Sequence, residues 1–81
     1  MRDAALPDGS RVALSAREFE LLRVLAARPS AVHSRSSLRS RVFDEAAAAS
    51  IVDTYVYYLR RKLGRSVIRT VHGLGYRMGT L

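Results

Sequence analysis

At 81 residues the chain has the length of one domain with a modest core, since so short a chain buries only somewhat more than about 60% of its unfolded surface. It has no cysteine and only two distant histidines, His33 and His72, which exclude a disulfide framework and a metal cluster, and no apolar run of about 18 residues or apolar N-terminal core marks a membrane span or signal peptide. Fourteen basic residues against seven acidic ones give a net charge of +7, a balance that favours polyanionic partners.

Residues 3–14 predict a short hairpin. Asp3–Leu6 and Arg11–Leu14 flank Pro7-Asp8-Gly9-Ser10, in which Pro fixes φ and Gly accepts a positive φ. Residues 15–28 predict the first helix. Ser15 is its N-cap, Glu18 completes a capping box, and Leu14 with Phe19 offers a hydrophobic staple. Phe19, Leu22 and Leu25, joined by Leu21, make its apolar stripe, and Pro29 ends it by disfavouring helical geometry at Arg28.

After an extended link, Ala31–His33, Ser34 caps a second helix that carries Leu38 and Val42 on one face and stops near Phe43. Asp44–Ala49 lacks apolar periodicity and reads as a loop. The third helix is expected at Ile51–Leu63, with Ser50 as cap and Asp53 at the positive end of the helix dipole. Val52, Val56, Leu59 and Leu63 form one buried stripe. The opposite side carries Ser50, Thr54, Tyr57, Tyr58 and Arg61, with Arg60 and Lys62 on the two flanks. Gly64 ends the helix. The last segment, about Val67–Met78, predicts a hairpin of alternating β-branched residues that turns at Gly73-Leu74-Gly75.

Three short helices followed by a β-hairpin describe an α+β winged helix-turn-helix: a three-helix core with a short N-terminal β-hairpin and a C-terminal β-hairpin wing. The third helix holds one face to the core and offers hydroxyls and guanidinium groups on the other, which suits the major groove of DNA. Thirteen of the fourteen basic residues are Arg, whose planar fork fits phosphates and guanine edges. Arginine and alanine richness also follows from genomic base composition, so charge by itself says only that the domain is basic. Tyr55 is expected to pack against the wing or a partner chain. The hydroxyls of Tyr57 and Tyr58 can bond phosphates, and their rings can touch thymine methyls.

The string Leu14-Ser15-Ala16-Arg17-Glu18-Phe19-Glu20-Leu21-Leu22 resembles the opening helix of the OmpR/PhoB-type effector domains of two-component response regulators. Ser34-Arg35 with Leu38 and Val42 is similar to their second helix. Val52-Asp53-Thr54 with Leu59-Arg60-Arg61-Lys62-Leu63 is similar to their recognition helix, and Thr70-Val71-His72-Gly73-Leu74-Gly75-Tyr76-Arg77 to their wing. The resemblance implies an N-terminal four-stranded sheet, of which this stretch is expected to carry only part, and a preceding receiver domain, expected to lie outside this stretch, that a sensor kinase phosphorylates. It implies double-stranded DNA as partner, dimers on tandem half-sites, contact with RNA polymerase through Asp44–Ala49, and a cytoplasmic, nucleoid-associated location in a bacterium.

Carried over residue by residue, the DNA-contact set is Ser50, Thr54, Tyr57, Tyr58, Arg60, Arg61, Lys62, Thr70 and His72. Arg60 and Thr70 match phosphate contacts. His72 stands where many members place a minor-groove arginine, Phe43 where many have Trp, and Tyr57 and Tyr58 at frequently basic positions. No catalytic residue, metal site or cofactor is expected. Gly73-Leu74-Gly75 lacks the helix and Lys of a phosphate loop. Asp44-Glu45 has no nucleophile beside it, His33 reads as a surface or boundary residue, and Asp53 as a helix-cap partner. The alternative function is a winged-helix protein–protein interaction module, which would be expected to expose an apolar patch. A basic membrane-surface domain would need exposed large apolar residues on an amphipathic helix, which are not seen.

Overall fold

The computed structural model describes residues 2–6 and 8–80; the expected role of Pro7 in the first turn lies outside them. Strands β1 (Arg2–Ala5) and β2 (Arg11–Leu14) pair antiparallel, Arg2 opposite Leu14 and Ala5 opposite Arg11. Leu6 falls in the turn rather than the strand, its N–H donating to the Ser10 carbonyl at 2.8 Å. Helices α1 (Ala16–Ala27), α2 (Arg35–Val42) and α3 (Ser50–Leu63) follow. The chain closes with β3 (Ile68–Val71) and β4 (Gly75–Met78), a second antiparallel pair with Ile68 opposite Met78.

The capping box of α1 is complete. The Ser15 hydroxyl accepts from the Glu18 N–H, and the Glu18 carboxylate accepts from the Ser15 N–H at 2.7 Å. The buried line of α1 is Glu18, Leu21, Val24 and Leu25, however, while Phe19 and Leu22 lie only partly buried beside it. The expected stripe is thus rotated. A charged residue takes a core-facing position because its carboxylate is satisfied there, by the cap and by the Lys62 ammonium at 2.7 Å. Helix α1 ends as Pro29 requires, with Arg28 in non-helical geometry.

Leu38 and Val42 of α2 meet Val52, Val56, Leu59 and Leu63 of α3 in one core with Leu14, Val67, Ile68 and Tyr76. Ser34 caps α2 as expected. Ser50 does not cap α3: it is the first helical residue, and Ala49 precedes it with no side-chain bond. The alanine segment is already turning, held by Asp44 accepting from the Ala46 N–H at 2.8 Å, and the first free donors of α3 bond backward to Ala48 and Ala49. Asp44–Ala49 is a loop, as its pattern implies.

Gly64, at φ +107°, turns the chain out of α3 into a single 3-10 turn, Arg65–Val67. The wing strand therefore begins at Ile68 instead of Val67. His33, expected as a surface or boundary residue, lies at the boundary of α2 but is buried, at 6% exposure. Its backbone exchanges two hydrogen bonds with Tyr76, adding a one-residue third strand to the wing. Gly75 makes this possible: a Cβ there would sit 2.0 Å from the His33 carbonyl oxygen.

Candidate nucleic-acid interface

Helix α3 presents its outer face because its inner stripe is fully engaged. Val52, Val56 and Leu59 are at most 1% exposed, whereas Tyr57 is 54% and Tyr58 42% exposed. Ser50, Thr54 and Arg61 are exposed on the same side. The Thr54 hydroxyl donates to the Ser50 carbonyl at 3.1 Å, which leaves its oxygen free to accept. Arg61 Nη1 donates to the Tyr57 hydroxyl at 3.1 Å, with its guanidinium 5.8 Å from that ring's centroid.

One flank of α3 is tied to the wing. Arg60 donates through Nη2 to the Ile68 carbonyl at 2.8 Å and to the Thr70 hydroxyl at 3.0 Å, and lies over the Tyr76 ring. Two turns earlier, Asp53 accepts from the Tyr76 hydroxyl at 2.6 Å and takes a two-point grip from Arg35 at 3.0 and 2.6 Å. Asp53 therefore joins α2, α3 and β4, a role beyond the helix-end partner expected of it. Burial pushes the Tyr76 phenol up to about 12, and the hydrogen bond to the Asp53 carboxylate adds to that. Tyr57, Arg60, Arg61, Arg65 and Thr70 line one groove between α3 and the wing.

The other flank is tied to the body. Lys62 Nζ donates to Glu18 and, at 3.3 Å, to the Ala13 carbonyl, so this expected DNA contact is drawn toward α1 and away from the Thr54–Arg61 face. Burial pushes the Glu18 carboxyl up, but the Lys62 ammonium and the Ser15 cap together outweigh it and leave it below its ordinary range. Tyr55, expected against the wing or a partner chain, packs against Phe43 within the domain, ring centroids 4.8 Å apart.

The structure thus brings Ser50, Thr54, Tyr57, Tyr58 and Arg61 onto one surface and sets Arg60 and Thr70 at its border. His72 is exposed in the wing turn, beside Gly73 and a 65% exposed Leu74. Arg35 and Arg65 were missed as candidates. Arg65 follows the Gly64 break, so helical spacing from Arg61 gives no sign of it, and Arg35 shows no pattern until Asp53 is placed opposite.

The family model described as "Transcriptional regulatory protein, C terminal" matches residues 9–78. The chain belongs to this family, the OmpR/PhoB-type domains. It is similar to the transcriptional regulatory protein TrcR of Mycobacterium tuberculosis, 45% identical over 74 residues that cover 85% of this chain and 29% of TrcR. The transcriptional regulatory protein QseB of Haemophilus influenzae is 40% identical over 70 residues, 84% of this chain and 32% of QseB. The chain thus spans about a third of the length of these relatives. Among solved structures it is similar to the DNA-binding domain of Bacillus subtilis CssR, with a TM-score of 0.84, 30% identity, and 95% of this chain and 90% of that one covered. This OmpR/PhoB-type domain has the winged-helix fold expected for it: three helices and two small antiparallel sheets. Its family is one of transcriptional regulators rather than an enzyme class. No helix among its described residues is long and apolar enough to cross a membrane.

Proposed function

We propose that the domain binds double-stranded DNA sequence-specifically by seating α3 in the major groove and the wing turn at the adjacent minor groove. It does so as the output domain of a two-component response regulator. The observation that carries this reading is the α3 face with the groove beside it. Thr54, Tyr57 and Arg61 stand outward on a rigid helix, and among the described residues neither Arg61 nor Arg65 has a carboxylate partner. Unpaired guanidinium groups next to hydroxyls are the donors that base edges and phosphates accept. Arg61 and Thr54 serve as base readers, Arg60, Arg65 and Thr70 as phosphate contacts, and His72 enters the minor groove from the wing turn.

Exposed large apolar residues are divided among the α1–α2 link (Val32), α3 (Tyr57, Tyr58) and the wing tip (Leu74), which favours DNA over a protein-binding wing. The same reading places two copies on tandem half-sites about one helical turn apart. It assigns the Asp44–Ala49 loop to RNA polymerase, and phosphorylation by a sensor kinase to a receiver in the whole cytoplasmic protein. The test is equilibrium binding to duplex DNA at several salt concentrations. Neutralising five phosphates gives a slope of log affinity against log salt of roughly −4 to −5. An affinity that stays flat refutes the reading.

A further inference from the structure

We propose that Tyr57 is a positioning residue: its hydroxyl and ring hold the Arg61 guanidinium in the orientation that reads one base pair. This inference rests on the DNA-binding reading above and names a residue on which its specificity depends. Tyr57 and Arg61 lie one helical turn apart, where side chains on a helix face meet. The hydrogen bond from Nη1 and the ring beneath the guanidinium restrain the plane of the fork in two ways. An exposed arginine without such support samples many rotamers and loses that freedom on binding. Arg61 makes no other bond among the described residues, so its Nε and Nη2 donors stay free. A guanine edge accepts two such donors.

Tyr57 is itself supported. The ring centroids of Phe43 and Tyr55 are 4.8 Å apart, those of Tyr55 and Tyr58 5.4 Å, and those of Tyr58 and Tyr57 6.1 Å, all at tilted or edge-on angles. The ladder runs from Phe43, packed against the core, to the most exposed tyrosine of the helix. Tilted and edge-on ring pairs attract each other at these separations. The chain thus spends three aromatic side chains behind a fourth that carries Arg61. The Tyr57 oxygen accepts from Arg61, which assigns it to orienting that side chain, while its O–H stays available to donate to a phosphate.

The test is a double-mutant cycle on bound-sequence preference. Preferred duplexes are selected from a random pool with the wild type, and affinities are then measured for each single-base-pair change with Tyr57→Phe, Arg61→Ala and the double variant. Tyr57→Phe keeps the ring and removes only the hydroxyl. It is expected to lower discrimination about fivefold to tenfold at the same base pair that Arg61→Ala affects, to leave the salt slope unchanged, and to add nothing in the Arg61→Ala background. In the free protein, the Arg61 Nε–H signal in NMR should be distinct in the wild type and averaged with exposed arginines in Tyr57→Phe. A loss at a different base pair, full additivity, or wild-type discrimination in Tyr57→Phe overturns the proposal while DNA binding stands. A wild type that binds no duplex in a salt-dependent way overturns the DNA-binding reading and the proposal with it.

Discussion

Replacing Asp53 with Ala tests how far one carboxylate, beside the Arg60 bonds, locks the wing to α3 and α2. Three contributions are lost. The Arg35–Asp53 pair is half-exposed, with side chains 47% and 42% accessible, so solvent reduces it to about 0.5 kcal/mol. Asp53 also lies in the first turn of α3, where a carboxylate contributes about 0.5 kcal/mol against the helix dipole. The largest loss is indirect. Tyr76 is only 9% exposed, and its hydroxyl is left without the acceptor 2.6 Å away, a penalty of about 1–2 kcal/mol. Together these come to roughly 2–3 kcal/mol, which in a domain of this size lowers the melting temperature by roughly 10–20 °C.

Tyr76→Phe removes donor and bond together and leaves Asp53 with Arg35, so it costs about 1 kcal/mol. The double variant should melt close to Asp53→Ala alone, because the orphaned hydroxyl is gone. Circular-dichroism melts at neutral pH measure all three. Alkaline pH probes the same contact. The Tyr76 phenol is raised from 10.0 to about 12 in the folded domain, so its contribution is present below pH 10 and lost as pH rises toward 12. Tyr76→Phe lacks that component. An Asp53→Ala variant less than about 0.5 kcal/mol below the wild type, or strict additivity with Tyr76→Phe, refutes the three-element link.

Leu59 is fully buried, and Leu59→Ala is expected to cost about 2–5 kcal/mol, read from urea unfolding; parental stability would mean the inner face of α3 is misassigned. Arg60→Ala should weaken all duplexes alike, reduce the salt slope by about one, and also destabilise the fold by about 1–2 kcal/mol, because the Ile68 and Thr70 bonds go with it. Arg61→Ala should leave the melting temperature unchanged. Burial holds the His33 imidazole below its ordinary 6.5, with Arg41 and Arg28 adding to the effect. The unfolded chain then takes up a proton that the folded one refuses, so stability is complete above pH 6.5 and falls as pH drops toward the lower folded value. His33→Leu should flatten that slope in melts between neutral and mildly acidic pH, and an unchanged slope assigns the titration elsewhere.

The elements were legible where one residue type dominates the local energetics. Ser15 with Glu18, Ser34, Pro29 and Gly64 set helix ends by short-range chemistry, and the Val52–Leu63 stripe set the inner face of α3. The reading erred where a polar residue is satisfied by something distant in sequence. Glu18 occupies a core-facing position because Lys62, 44 positions later, reaches it. His33 is buried because β4 returns to pair with it. Ser50 matched the expected cap type, but the preceding alanines had already entered the helical turn. The exposure of Thr54, Tyr57, Tyr58 and Arg61 at the centre of the α3 face was legible from periodicity alone. The internal bonds of the flanking Arg60 and Lys62 were not, because their partners lie on other elements.

That division has a physical consequence for recognition. A helix held only by its buried stripe can roll about its axis, and rolling moves base-reading side chains off their targets. Here α3 is held on both flanks as well: Arg60 and Asp53 bind it to the wing and to α2, while Lys62 and Tyr55 bind it to α1 and to Phe43. Arg60 and Lys62 serve as struts, Arg60 with its Nη1 open to a phosphate, and Arg61 stands between them as the basic residue at the centre of the face. The wing cannot shift without disturbing Asp53, and Asp53 lies one position from Thr54. Wing placement and helix roll are therefore coupled through Asp53 and Arg60. A change that loosens the Tyr76–Asp53 contact should weaken base discrimination by α3 as well as minor-groove contact by the wing.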